Sequence, residues 1–179
     1  SASIEEAVWE SDDPALTAAV AYSTNLFTAR AAVIGGTIVA GDEAEDDVFG
    51  YTLSGNVTPW EGGTINAVYT AGEGISGLLI GGGSSFANDG STNEVEGYSV
   101  GISQDINSKF TVGAVYGFED YNDPGAADLS EVETLHLNAF YRPIDNLNLG
   151  IEYIMGERTD GAGDTLSAER IGVSATFTF

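Results

Sequence analysis

The chain has no cysteine, a single methionine, four prolines and only five basic side chains in 179 residues. Without cysteine there is no disulfide framework, so the fold must be held without covalent cross-links. Against those five Lys and Arg stand 28 Asp and Glu, a net charge of -23. That balance excludes nucleic acid as a partner, because phosphate binding requires clustered cations. No window holds 18 consecutive apolar residues, so no helix read from the sequence crosses a membrane. A membrane is not thereby excluded: a barrel strand is only half apolar, and averaging hides it. Ser1 to Glu6 carry neither the basic nor the apolar region of a signal peptide.

What is present is alternation. From Ile171 to the last residue, Ile171, Val173, Ala175, Phe177 and Phe179 alternate with Gly172, Ser174, Thr176 and Thr178. A period of two marks a β-strand with a different solvent on each face. Closing on Phe177 and Phe179 matches the aromatic girdle where a last barrel strand leaves the bilayer. The pattern repeats at about 14–23, 26–39, 48–58, 63–71, 95–105, 108–119, 132–143 and 146–158, giving nine segments near the length that a tilted strand needs to span. In each, one face is aliphatic or aromatic and the other is mostly Gly, Ser, Thr and Asn. A soluble sandwich would place Lys and Glu on its outer face instead.

The connections alternate short and long, as in outer-membrane barrels with short periplasmic turns and longer extracellular loops. The long ones run at about 40–47, 72–94, 120–131 and 159–167, which puts the carboxyl terminus in the periplasm. On this map 24 of the 28 acids lie toward the outside, the exceptions being Glu61, Asp105, Asp145 and Glu152. The fold class expected is all-β, a transmembrane antiparallel β-barrel forming one domain over 1–179, with 1–13 a remnant of an extracellular loop. Nine strands is an odd count, whereas both termini of such a barrel normally lie in the periplasm. Either the chain is the carboxyl-terminal part of a larger barrel, or one strand is misread, segment two being the least regular.

The stretches 145–153 with 156–158, 168–171, 14–18, 50–56 and 69–75 resemble, in order, those of DcaP-like porins of Gram-negative bacteria. The resemblance covers most of 14–179. It implies a trimeric, sixteen-stranded outer-membrane channel for small, often anionic, solutes, of which about nine strands are present here.

The function expected is a porin, a water-filled channel for passive diffusion of small hydrophilic solutes. The alternative is a non-conducting structural or adhesion-type barrel, whose core would be filled by side chains. An enzyme is not expected: a barrel hydrolase would need a nucleophile paired with histidine, and His136 is the only one. The candidate pore-lining residues are Arg30, Lys109, His136, Arg142, Glu152, Arg158 and Arg170, all read at polar-face positions. Keeping arginine off the lipid face already explains that parity, since a midplane charge there costs about 2–4 kcal/mol. Cations opposite acidic loops would also create a field that selects solutes. Glu152 is expected between Arg142 and Arg170, as counter-charge or selectivity residue.

The loop at 72–94 is unusually apolar, with Ile75, Leu78, Leu79 and Ile80 before three glycines. It has two readings: a constriction folded into the lumen, or a pad over a neighbouring subunit. No cofactor or metal site is expected. Asp160 to Asp164 is similar to a Ca²⁺-binding turn but is more simply a hairpin loop, and the acidic extracellular loops would hold Ca²⁺ only loosely. The partners expected are outer-membrane lipid and lipopolysaccharide, two further copies in a homotrimer, and solutes in transit.

Overall fold

A computed structural model of the chain describes residues 2–5, 14–39, 45–79, 81–87 and 90–179. Among these, ten strands form one sheet in sequence order. They are β1 (Ala2–Glu5), β2 (Ala15–Ser23), β3 (Phe27–Val39), β4 (Glu45–Val57), β5 (Gly63–Glu73), β6 (Glu94–Asn107), β7 (Phe110–Tyr121), β8 (Leu129–Ile144), β9 (Leu147–Asp160) and β10 (Thr165–Phe177). Each pairs antiparallel with its chain neighbour, and among the described residues β1 and β10 do not pair with one another.

Directly opposed residues in an antiparallel ladder share a face, so the register sorts the side chains. One row runs Arg30, Ser54, Val68, Ser99, Gly117, Thr134, Gly156, Ala168. The next row, on the opposite face, runs Ala31, Leu53, Tyr69, Tyr98, Phe118, Glu133, Glu157, Ser167. The second face carries the exposed apolar side chains, among them Val20, Leu53, Val100, Ile102, Ile151, Ile171 and Val173. In water such a surface would be a large unpartnered patch; against hydrocarbon it is solvated.

Aromatic rings border this apolar face at both ends. Near the turns that follow β2, β6 and β8 stand Tyr22 against Phe27, and Phe110 against Tyr141, with centroids 5.8 and 6.5 Å apart. Toward the long-loop end stand Tyr51 against Tyr69, and Tyr98 against Phe118, at 6.0 and 5.5 Å. Phe110 and Phe118 are about 26 Å apart along β7 at a strand rise of about 3.3 Å. A tilt of about 40° makes that roughly 20 Å along the membrane normal, close to the height of an outer-membrane apolar band. Just beyond the upper rings carboxylates begin: the Tyr69 hydroxyl donates to Glu96 Oε2 at 2.9 Å.

The nine expected strands are all present, with three differences. The leader, expected to be loop, contains β1, where Ala2 to Glu5 pair with Ala18 to Ala15; residues 6–13 lie outside the described ones. Strands β4, β8 and β9 run further toward the long-loop end than their alternation. Beyond the aromatic rings both faces turn polar, so the apolar/polar period stops while the hydrogen-bond ladder continues. Thus Glu131 and Glu133, read as a loop and its margin, pair across to Asp120 and Phe118. Finally, β10 stops at Phe177, and Phe179 lies beyond it, fully exposed. The Thr178 N–H still donates to the Asn146 carbonyl at 2.9 Å.

Candidate functional site: a loop folded onto the polar face

The segment joining β5 to β6 folds back onto the polar face. Gly74, at φ +70°, makes the reversal that an L-residue rarely adopts, and its N–H donates to the Asn93 carbonyl at 2.9 Å. A short 3-10 turn, Ser76–Leu78, follows. Ile75 is buried with Ile38, Val48, Val95, Tyr121 and Leu129, a small apolar cluster supplied by the loop and the upper ends of five strands. Within this chain, the loop packs on the polar face of the sheet.

The wall makes room for it with glycine. A Cβ on Gly50 would lie 2.8 Å from Ile75 Cδ1, and one on Gly97 would lie 3.2 Å from Leu79 Cδ2. Glu119 pins the loop's far side: its Oε2 accepts the Gly81 N–H and the Tyr121 hydroxyl, each at 2.8 Å. Between loop and wall lies a cavity of about 830 Å³. Leu78, Leu79, Val115 and Val132 give it an apolar side; Arg30, Glu119 and Glu152 are its charged walls, with His136 beside Glu152.

The candidate pore-lining residues fall into two groups. Arg30, His136 and Glu152 line the cavity, and Arg158 and Arg170 share the same face by register. Lys109 does not: it sits in the turn between β6 and β7, and its Nζ donates to the Pro143 carbonyl at 3.0 Å. Alternation misplaced it because it continued the strand through a two-residue turn. Arg142 lies in the irregular stretch between Tyr141 and Ile144, its N–H donating to the Lys109 carbonyl. It therefore belongs to the turn end of the wall, away from the cavity.

Glu152 does not bridge arginines. It stands opposite Asn138 and Gly172, and its Oε1 lies 3.1 Å from His136 Nδ1. That contact is a hydrogen bond, and an ion pair when His136 is protonated. Arg30, Arg158 and Arg170 are exposed. Asp160 Oδ1 accepts the N–H groups of Ala162 and Asp164 at 3.0 and 2.9 Å, so this carboxylate caps a hairpin turn. Among the described residues no cluster of three or more His, Cys, Asp or Glu is placed to hold a metal ion.

The sequence reading missed Glu119 and the seating glycines Gly50 and Gly97. Glu119 had a signal, since it continues the polar parity of Thr111, Gly113 and Gly117. The glycines had none, because a polar face is rich in glycine whether or not anything rests on it.

This geometry has counterparts among solved structures. The outer membrane channel DcaP of Acinetobacter baumannii superposes with a TM-score of 0.88 at 23% identity, over 99% of this chain and 54% of that one. The fold is that of the outer-membrane porins. An anion-selective porin from Comamonas acidovorans matches at a TM-score of 0.68 and 14% identity, over 94% of this chain and 51% of that one. OmpT of Vibrio cholerae, an outer membrane protein in trimer form, matches at 0.64 and 15%, over 92% and 55%. This chain thus spans about half the length of each. No family model and no curated protein matches the sequence. The DcaP likeness seen in the sequence stretches and the likeness in fold point to the same group.

Proposed function

We propose that the chain forms wall and constriction of a bacterial outer-membrane channel through which small hydrophilic solutes, anions among them, diffuse passively. The observation that carries this reading is the inward loop. It narrows the polar side of the sheet without filling it, leaving a charged cavity between Leu78 and the His136–Glu152 pair. A non-conducting barrel would fill that space with side chains. Here the facing row is Ser99, Gly117, Thr134 and Gly156, too small to do so. The exposed arginines Arg30, Arg158 and Arg170 would draw anions along the wall.

Channels of like fold include an anion-selective porin and a protein in trimer form, which supports anion passage and a homotrimer here. The apolar face meets membrane lipid. The acidic rim meets lipopolysaccharide through loosely held divalent cations such as Ca²⁺, since two anionic layers attract only when bridged. The test is planar-bilayer recording of the purified protein. Discrete ohmic steps are expected; a folded, membrane-inserted protein that never conducts would end this reading.

A further inference from the structure

We propose that the His136–Glu152 pair sets the ion preference of the constriction and makes it respond to protons. The inference rests on the channel reading above. The two side chains project from neighbouring strands, β8 and β9, onto the cavity wall, each about a third exposed at 31% and 38%. Solutes and protons therefore reach both.

The charges around the pair are few. On β7 the opposed residue is Val115, and Glu119 lies two rows above; on β9 the opposed residue is Ile154, with Arg158 above. Arg170 of β10 faces the same side across Ile154, and Arg30 of β3 lines the cavity. The described residues of the inward loop carry no charged side chain. Within the cavity wall one arginine thus meets two glutamates. A neutral His136 leaves the constriction one negative charge in excess, and a protonated one leaves it balanced.

Histidine is the side chain that ordinarily changes charge between about pH 5 and 8. Protonation also turns the His136–Glu152 contact from a neutral hydrogen bond into an ion pair, so it screens a carboxylate at which a cation would pause. Acidification should therefore move the channel toward anions. One unit charge about 6 Å from a permeating ion, at a water-like dielectric, changes that ion's local concentration about threefold. Because the effect is opposite for the two ions, the chloride-to-potassium permeability ratio should rise roughly threefold to tenfold.

Reversal potentials in a KCl gradient, recorded from pH 8 to pH 5, test this. His136→Gln should hold the ratio at its pH 8 value throughout. Glu152→Gln should raise the ratio at pH 8 while keeping a histidine-dependent step. His136 is the only histidine in the chain, so its imidazole signals by NMR in detergent micelles report its own titration. The NMR midpoint should coincide with the permeability midpoint. A step of equal size in His136→Gln, or midpoints that differ, would overturn the proposal while leaving the channel reading intact. A folded protein that never conducts would overturn both.

Discussion

Replacing Ile75 by alanine tests the constriction directly. Ile75 is 2% exposed and is the loop's anchor in a six-residue apolar cluster. Deleting a buried isoleucine side chain to alanine costs about 2–5 kcal/mol. A small cluster at a rim can partly collapse into the gap, so the lower part of that range, about 2–3 kcal/mol, applies. The strand ladders do not depend on this contact, and the loss falls on the equilibrium between seated and unseated loop. At about 1.4 kcal/mol per factor of ten, the seated fraction relative to the unseated falls roughly 30- to 150-fold. The readout is single-channel recording, where Ile75→Ala should give larger or noisier open levels than the parent. Leu78→Ala is the matched control: it is 45% exposed and does not anchor the loop, so its noise should stay at the parental level. If Ile75→Ala inserts normally, keeps its β-sheet circular dichroism and shows unchanged conductance and noise, the loop is not the constriction.

Gly50→Val acts on the same contact from the wall, since its Cβ would meet Ile75 Cδ1 at 2.8 Å. It should raise conductance like Ile75→Ala, and the double variant should show much less than the sum, as contacting residues couple. Ile102→Lys, outward at 48% exposure, should destabilise refolding into bilayers by about 2–4 kcal/mol in urea titrations. Ser99→Lys, on the inward row, should cost far less, and equal costs would refute the assignment of faces. With no native cysteine, Leu78→Cys gives one labelling site; a bulky cationic thiol reagent should reduce its current and leave the parent's unaffected. Removing divalent cations with EDTA should lower thermal stability in vesicles containing lipopolysaccharide and leave it unchanged in phospholipid alone.

Much of the architecture was legible because one physical quantity, the difference between hydrocarbon and water across a strand, is written into every second residue. Alternation placed Phe110, Val112, Ala114 and Tyr116 on one face and Thr111, Gly113 and Gly117 on the other without any knowledge of pairing. It lost accuracy wherever that difference vanishes. Beyond the aromatic rings it cut β8 short of Glu131; at the two-residue turn it carried Lys109 into the lumen. It passed over β1, whose four residues pair high on β2 and are too few to display a period. The site was legible in kind but not in partners. His136 and Glu152 were both read as inward, yet Glu152 was matched with arginines.

Strand existence, face assignment and the acidic outer end follow from the sequence by itself, because solvent contrast and turn length act within a few residues along the chain. Register decided that Glu152 meets His136, since pairing partners 16 residues apart depend on how two strands align, and either alignment of the same parity would satisfy the alternation. The fate of the 74–93 loop was likewise settled only in three dimensions. Its apolar residues required burial somewhere, and the gap above Gly50 and Gly97 that receives Ile75 and Leu79 exists only once β4, β5 and β6 stand side by side.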